Sequence, residues 1–270
     1  MAAPDTRLTP PEPAGAAAVK TSAERIAPRL KALAPEAEKS RRLTREAIDL
    51  VRDHGLFKIL QPERSGGHQL TLRTHLDVVS ALSEGCVSTG WVVGVAHAHS
   101  WLIGHMPRQA QDDVYADNPN AFVAAVVGPR GKAVKRADGS FQLNGFWPFG
   151  SGSDYADWLM LGAEVVDEQG QTEDWGDFLI PPGDIDNLDD WHSAGLAGTG
   201  SHSLVGKNVT VPAHRFISMP ALFQGHSPGG GLHEGTLYKS SAAPILALAL
   251  TGSAIGCAKA SLANYRDSIE

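Results

Sequence analysis

Residues 141–163, FQLNGFWPFGSGSDYADWLMLGA, set two aromatic rings, Trp147 and Phe149, against the small-residue run Gly150-Ser151-Gly152-Ser153. Rings followed by a hydroxyl between glycines let a flat ligand lie on the ring faces while backbone and Oγ approach its edge. A flavin is one such ligand; an ordinary sheet edge with packed aromatics fits the same spacing equally well. His99 lies on an apolar helical stretch, where a satisfied core histidine is the commoner reading and a functional imidazole the rarer one. His97, two residues away, falls on a different helix face and reads as structural or exposed. His226 and His233 flank Pro228 and three glycines. A seven-residue spacing without a third ligand makes them exposed loop residues rather than a metal site. The Gly150-Ser-Gly-Ser run is no phosphate loop, since no Lys-Ser/Thr follows, and no GxGxxG opens a helix to take a nicotinamide.

These residues need a scaffold, and the chain changes character along its length. Residues 1–15, with four prolines and several alanines, read as a flexible arm. Residues 16–118 read as a helical domain. Ile26, Leu30 and Leu33 repeat at helical spacing, Thr44 caps a second helix that Gly55 stops, and 72–82 form a third. Ser88 is the expected cap of a fourth helix carrying Trp91 and His99 and running to Leu102. Residues 119–222 break into short apolar runs between Gly, Pro, Asp and Asn, as a small antiparallel β-barrel or sandwich does. Residues 223–270 read as a Gly/His/Pro linker and one long helix. Its Leu248, Ile255, Leu262 and Ile269 form a seven-residue repeat that asks for partner helices. The fold class is therefore α+β multidomain, closing on the start of a helical bundle, and the sequence is expected to be a truncated product.

Composition bounds the function. With 42% hydrophobic and 20% charged residues the chain is globular, and a formal charge of −7 without a basic stripe argues against nucleic acid. Cys86 and Cys257 match no metal spacing, so reduced thiols in a cytoplasmic protein are expected. Residues 244–263 are apolar, but Thr251, Ser253, Lys259 and Ser261 argue against a membrane span.

Several segments carry a resemblance. Gly55-Leu56-Phe57 through Pro62 to Gly66-Gly67 resembles the entry motif of the acyl-CoA dehydrogenase superfamily. NGFWPFGSGSDYADWLMLGA resembles the flavin-side strand of one branch, the two-component flavin-dependent monooxygenases that include the oxygenases acting on 4-hydroxyphenylacetate. Ser88-Thr89-Gly90-Trp91 leading to His99-Ser100-Trp101, Gly198-Thr199-Gly200-Ser201, and Asn208-Val209-Thr210-Val211-Pro212 agree with it in order. The resemblance implies an oxygenase component that takes reduced FMN or FAD from a separate flavin reductase. With O2 it would hydroxylate an aromatic or related small molecule, as a homodimer or homotetramer. Carried over, Trp91 lines the flavin site and His99 lies beside the reacting centre. Phe149, Gly150 and Ser151 contact the flavin, with Ser151 toward its N5 edge; Trp147 joins them by position. Two departures bear on the substrate: Val126 stands where the family commonly has serine, and Lys239 where it tends to have arginine, losing the bidentate fork. An acyl-CoA dehydrogenase-like flavin oxidoreductase, which needs a carboxylate base, and a non-catalytic relative are the alternatives.

Overall fold

The fold was analysed in a computed structural model that describes residues 15–269; the expected arm, up to residue 14, lies outside them. Helix α1 (Gly15–Ser40) buries Val19, Ala23, Ile26, Leu30, Leu33 and Ala37, one residue each turn. The buried Ala37 carries the helix a turn past the expected end at Leu33. Thr44 caps α2 (Arg45–Asp53), its Oγ1 accepting the Ala47 N–H at 3.1 Å. Thr71 does the same for α3 (Leu72–Gly85). Helix α4 (Val87–His105) departs from expectation at its start. Cys86 is the N-cap and makes no side-chain cap bond, while Ser88 is a buried residue inside the helix. Nearly every α4 side chain is buried, so this helix is apolar all round and forms the axis of the helical layer. A short α5 (Arg108–Tyr115) leads into the sheet.

The sheet has seven strands: β1 (Val123–Lys135), β2 (Phe141–Gly150), β3 (Trp158–Val166), β4 (Thr172–Ile180), β5 (Asp186–Asn187), β6 (His202–Val211) and β7 (Phe216–Ser218). Their order is β5-β6-β2-β1-β3-β4-β7. The expected purely antiparallel arrangement is corrected here, because β1 pairs with β3 in parallel. For the same reason β2 and β3 are no hairpin: β1 lies between them, and the 141–163 stretch spans the centre of the sheet rather than its edge. The β1–β3 register breaks between Val126 and Gly131. Gly162 makes room for that bulge, since a Cβ there would lie 2.1 Å from the Gly128 carbonyl oxygen. Asp177, paired with Gly162 across the β3–β4 ladder, is completely buried.

After the short α6 (Met219–Phe223) the chain reaches α7 (Ala242–Leu248) and α8 (Thr251–Ile269), so the expected single helix is interrupted at residues 249–250. Gly252, Ser253 and Gly256 form the buried face of α8. A Cβ on Gly256 would meet the Ser80 carbonyl at 2.3 Å, so α8 lies backbone to backbone on α3. The heptad residues point the other way: Ile255, Leu262 and Ile269 are exposed, and so is Tyr265. By length and hydropathy the segment Ala242–Ile269 is apolar enough to cross a membrane.

Candidate active site

Three distant stretches meet where α4 passes the end of β2. The Trp91 indole N–H donates to Ser151 Oγ at 3.3 Å. Ser151 Oγ lies 2.7 Å from Ser201 Oγ, which lies 2.6 Å from Thr199 Oγ1, and the Thr199 hydroxyl donates to the Leu196 carbonyl at 2.8 Å. A main-chain bond from Gly152 N–H to the Thr199 carbonyl, 2.9 Å, runs alongside. Gly152 has to be glycine: its φ is +75°, and a Cβ would lie 2.8 Å from the Phe122 ring.

Phe149 owes its place to a backbone irregularity. The β2–β6 register breaks between Trp147 and Gly150, and Phe149 takes a φ of 69°, a costly conformation for an aromatic residue. The ring is thereby turned out of the sheet and is 62% exposed, edge-on to Trp191 at 6.0 Å between centroids. Trp147 keeps the regular face. It is fully buried, donates to the Gly162 carbonyl at 2.7 Å, and fills the space left by Gly131 and Gly145. Its assignment to the cofactor is therefore corrected to a core role; the alternation of β2 sends it into the β-domain interior. Gly150 is buried, with room for no Cβ against Leu204.

A cavity of about 380 Å³ opens beside this junction. It is walled by Val95, Ala98 and His99 of α4, Val126 and Arg130 of the β1 bulge, Pro148 and Phe149, and Leu246 and Ala249 at the α7–α8 break. His99 is buried, and its Nδ1–H donates to the Val123 carbonyl at 2.9 Å. That bond fixes the tautomer: Nε2 keeps a bare lone pair and has no partner among the described residues. Burial holds the imidazole pKa down to about 4, only partly opposed by the Val123 carbonyl, so the ring is neutral near pH 7. His99 and Phe149 thus share one cavity, while Trp91 and Ser151 are bonded to each other beside it.

A larger cavity, about 610 Å³, lies at the other end of α4 and includes His105, His233, Tyr238 and Lys239. Size does not make it the better site, because Lys239 is its single residue with a sequence-level link to the chemistry. His233 is not an exposed loop residue as expected. It is buried, bonded to the Gly104 carbonyl at 2.8 Å and packed on Tyr238, whereas His226 is exposed. Among the described residues no three His, Cys, Asp or Glu side chains gather to hold a metal. His97 is fully buried, bonded to His75 and to the Leu56 carbonyl.

Sequence reading missed roles for Thr199, Ser201 and Arg130. The first two lie in a recognised motif, but nothing in residues 198–201 says that their hydroxyls reach a serine fifty positions earlier. The arrangement suits a flat ring system. It offers an apolar cavity, an exposed aromatic face, one imidazole lone pair and a serine oxygen held by a fixed indole donor.

Comparison with known proteins follows the same line. Residues 15–118 match the family described as acyl-CoA dehydrogenase, N-terminal domain. The chain is 35% identical over 215 residues to the flavin-dependent monooxygenase, oxygenase subunit HsaA, of Mycobacterium tuberculosis, covering 80% of this chain and 54% of that protein. It is 34% identical over 247 residues to the FADH(2)-dependent resorcinol hydroxylase, oxygenase component, of a Rhizobium species, covering 90% and 60%. The crystal structure of the M. tuberculosis HsaA monooxygenase superposes with a TM-score of 0.89 at 31% identity, covering 93% of this chain and 68% of that one. The chain thus spans a little over half the length of the curated relatives it matches.

Proposed function

The chain belongs to the acyl-CoA dehydrogenase superfamily, in its two-component flavin monooxygenase branch, and from that premise we propose that it acts as the oxygenase component of such a system. Reduced FMN or FAD would come from a separate reductase, and the substrate would be an aromatic or related small molecule. The single observation carrying this reading is His99, a neutral imidazole with a committed Nδ1 and a free Nε2 on the wall of the 380 Å³ cavity. When bound, the flavin supplies activation of O2, which no side chain of this protein can do.

The protein's own residues have separable tasks. Trp91, Phe149, Gly150 and Ser151 would hold the ring system, with Ser151 toward N5. His99 Nε2 would accept a hydrogen bond from a substrate hydroxyl, orienting it and raising electron density on the ring that is to be hydroxylated. Val95, Val126, Leu246 and Ala249 exclude water, which favours oxygen transfer over loss of peroxide. A dehydrogenase reading needs a carboxylate base, usually supplied by the helical bundle, and the loop from Ser151 to Trp158 favours the monooxygenase over it. A cytoplasmic location and a homodimer or homotetramer belong to the same proposal; they rest on the reduced cysteines, Cys86 and Cys257, and on the exposed stripe of α8.

The test is to mix the protein anaerobically with reduced FMN or FAD and then admit oxygen. A long-lived species absorbing in the near ultraviolet is expected. Immediate return of oxidised flavin with stoichiometric peroxide would defeat the proposal, and flavin reduction by an acyl thioester would replace it with the dehydrogenase.

A further inference from the structure

The hydroxyls of Thr199, Ser201 and Ser151 form a chain whose proton positions are determined. Each hydroxyl has one proton to give and two lone pairs to receive. The Leu196 carbonyl can accept only, so the Thr199 proton is spent there, at 2.8 Å. The 2.6 Å contact between Ser201 and Thr199 must then use the Ser201 proton. The 2.7 Å contact between Ser151 and Ser201 must in turn use the Ser151 proton. On its other side Ser151 Oγ receives the Trp91 indole N–H. One lone pair of Ser151 is left and no proton.

From this we infer that Thr199 and Ser201 are positioning residues that make Ser151 an obligate acceptor, so that the site selects reduced over oxidised flavin. The inference rests on the flavin reading above, in which Ser151 faces N5. N5 carries a proton in the reduced ring and can donate to Ser151. In the oxidised ring N5 is itself an acceptor, and two lone pairs would face each other. The relay thereby gives the protein a means of keeping the form delivered by a reductase and releasing the spent one. Its geometry is rigid where this matters: Ser151, Thr199 and Ser201 are all buried, and the parallel main-chain bond from Gly152 to Thr199 keeps the two turns in register.

The test measures dissociation constants of FMN and FAD, each oxidised and dithionite-reduced, by anaerobic ultrafiltration. Bound-flavin midpoint potential is followed in parallel by equilibration with a reference dye. The unmodified protein is expected to bind the reduced form more tightly. Ser201→Ala frees the Ser151 proton to donate to oxidised N5 and narrows the reduced-to-oxidised preference by about tenfold, the effect of one neutral hydrogen bond. Each tenfold narrowing lowers the bound potential by about 30 mV for a two-electron couple. Thr199→Val, which frees the Ser201 proton to turn toward Ser151, narrows it likewise, and Ser201→Thr, which keeps a hydroxyl, retains the preference. If flavin binds but neither Ser201→Ala nor Thr199→Val changes the ratio, the relay inference is overturned and the flavin reading stands. If no flavin binds in either redox state, the flavin reading falls and takes the inference with it.

Discussion

The indole nitrogen of Trp91 and the hydroxyl oxygen of Ser151, sixty residues apart, are joined by a 3.3 Å hydrogen bond that ties α4 to the end of β2. Trp91→Phe keeps a ring and removes that donor. Losing one neutral bond costs about 1 kcal/mol, so reduced flavin should bind several-fold more weakly, as read by anaerobic titration. An affinity unchanged within twofold would mean that the bond has no part in holding the ligand.

His99 is the hydrogen-bond acceptor for the substrate hydroxyl in the proposed reaction. His99→Asn should lower turnover by roughly 10²–10⁴-fold while reduced-flavin affinity moves by no more than a few-fold. With its pKa near 4, His99 should leave no titration limb in activity between pH 5 and 8. A limb near 6.5 that the variant abolishes would contradict the burial argument.

Stability should respond to pH through two opposing sets of buried groups. His75, His99 and His105 are each held down to about pH 4 by burial, so the unfolded chain binds more protons than the native one between about 4 and 6.5. Their contribution is complete above 6.5 and is lost as pH falls through that window. Asp177 works in the other direction. Its carboxyl is pushed up to about 7 by burial; the Gly128 amide leans toward it without reaching hydrogen-bond geometry. The native state therefore keeps a proton that the unfolded chain loses, and stability falls as pH rises from about 4 to 7. Asp177→Asn removes this loss. Denaturant unfolding should show the variant gaining on the parent as pH rises, by a few kcal/mol at pH 8 and by almost nothing at pH 4.

The contact between α3 and α8 leaves no space for a methyl group. Gly256→Ala must displace the Ser80 carbonyl, 2.3 Å from where the new carbon would sit, and should destabilise by about 1–3 kcal/mol in urea unfolding. The exposed Ile255→Ala, one position away, serves as the comparison and should change stability far less.

Val126 walls the cavity with a side chain that can offer a substrate no hydrogen bond. Val126→Ser should lower KM for a simple phenol by about fivefold, through one added hydrogen bond to the phenolic oxygen. An equal effect on a non-phenolic aromatic would show that cavity size, rather than the hydroxyl, is responsible.

How much of this was legible in the residues themselves depended on range. Thr44 as a cap, the helical repeat of α1 and the strand character of residues 141–150 are local, and each is present in the fold. Trp147 and Phe149 share a parity, so alternation alone puts both rings on one face; the register break after Trp147 separates them. Ser88 looks like a cap until α4 packs, and then its hydroxyl is buried inside the helix. The parallel pairing of β1 with β3, the burial of His233 and the meeting of Ser151 with Ser201 all depend on partners about 30 to 130 positions away. Periodicity and composition carry no information about those.

The placement of β1 between β2 and β3 also constrains the order in which this chain can fold. β1 and β2 can zip from their turn and β3 and β4 from theirs, but β3 must travel past β2 to reach the far edge of β1. Until it arrives, the apolar Val123–Val126 stretch presents an open edge to any other chain. Refolding should therefore be slow and concentration-sensitive at this stage, with yield best at high dilution.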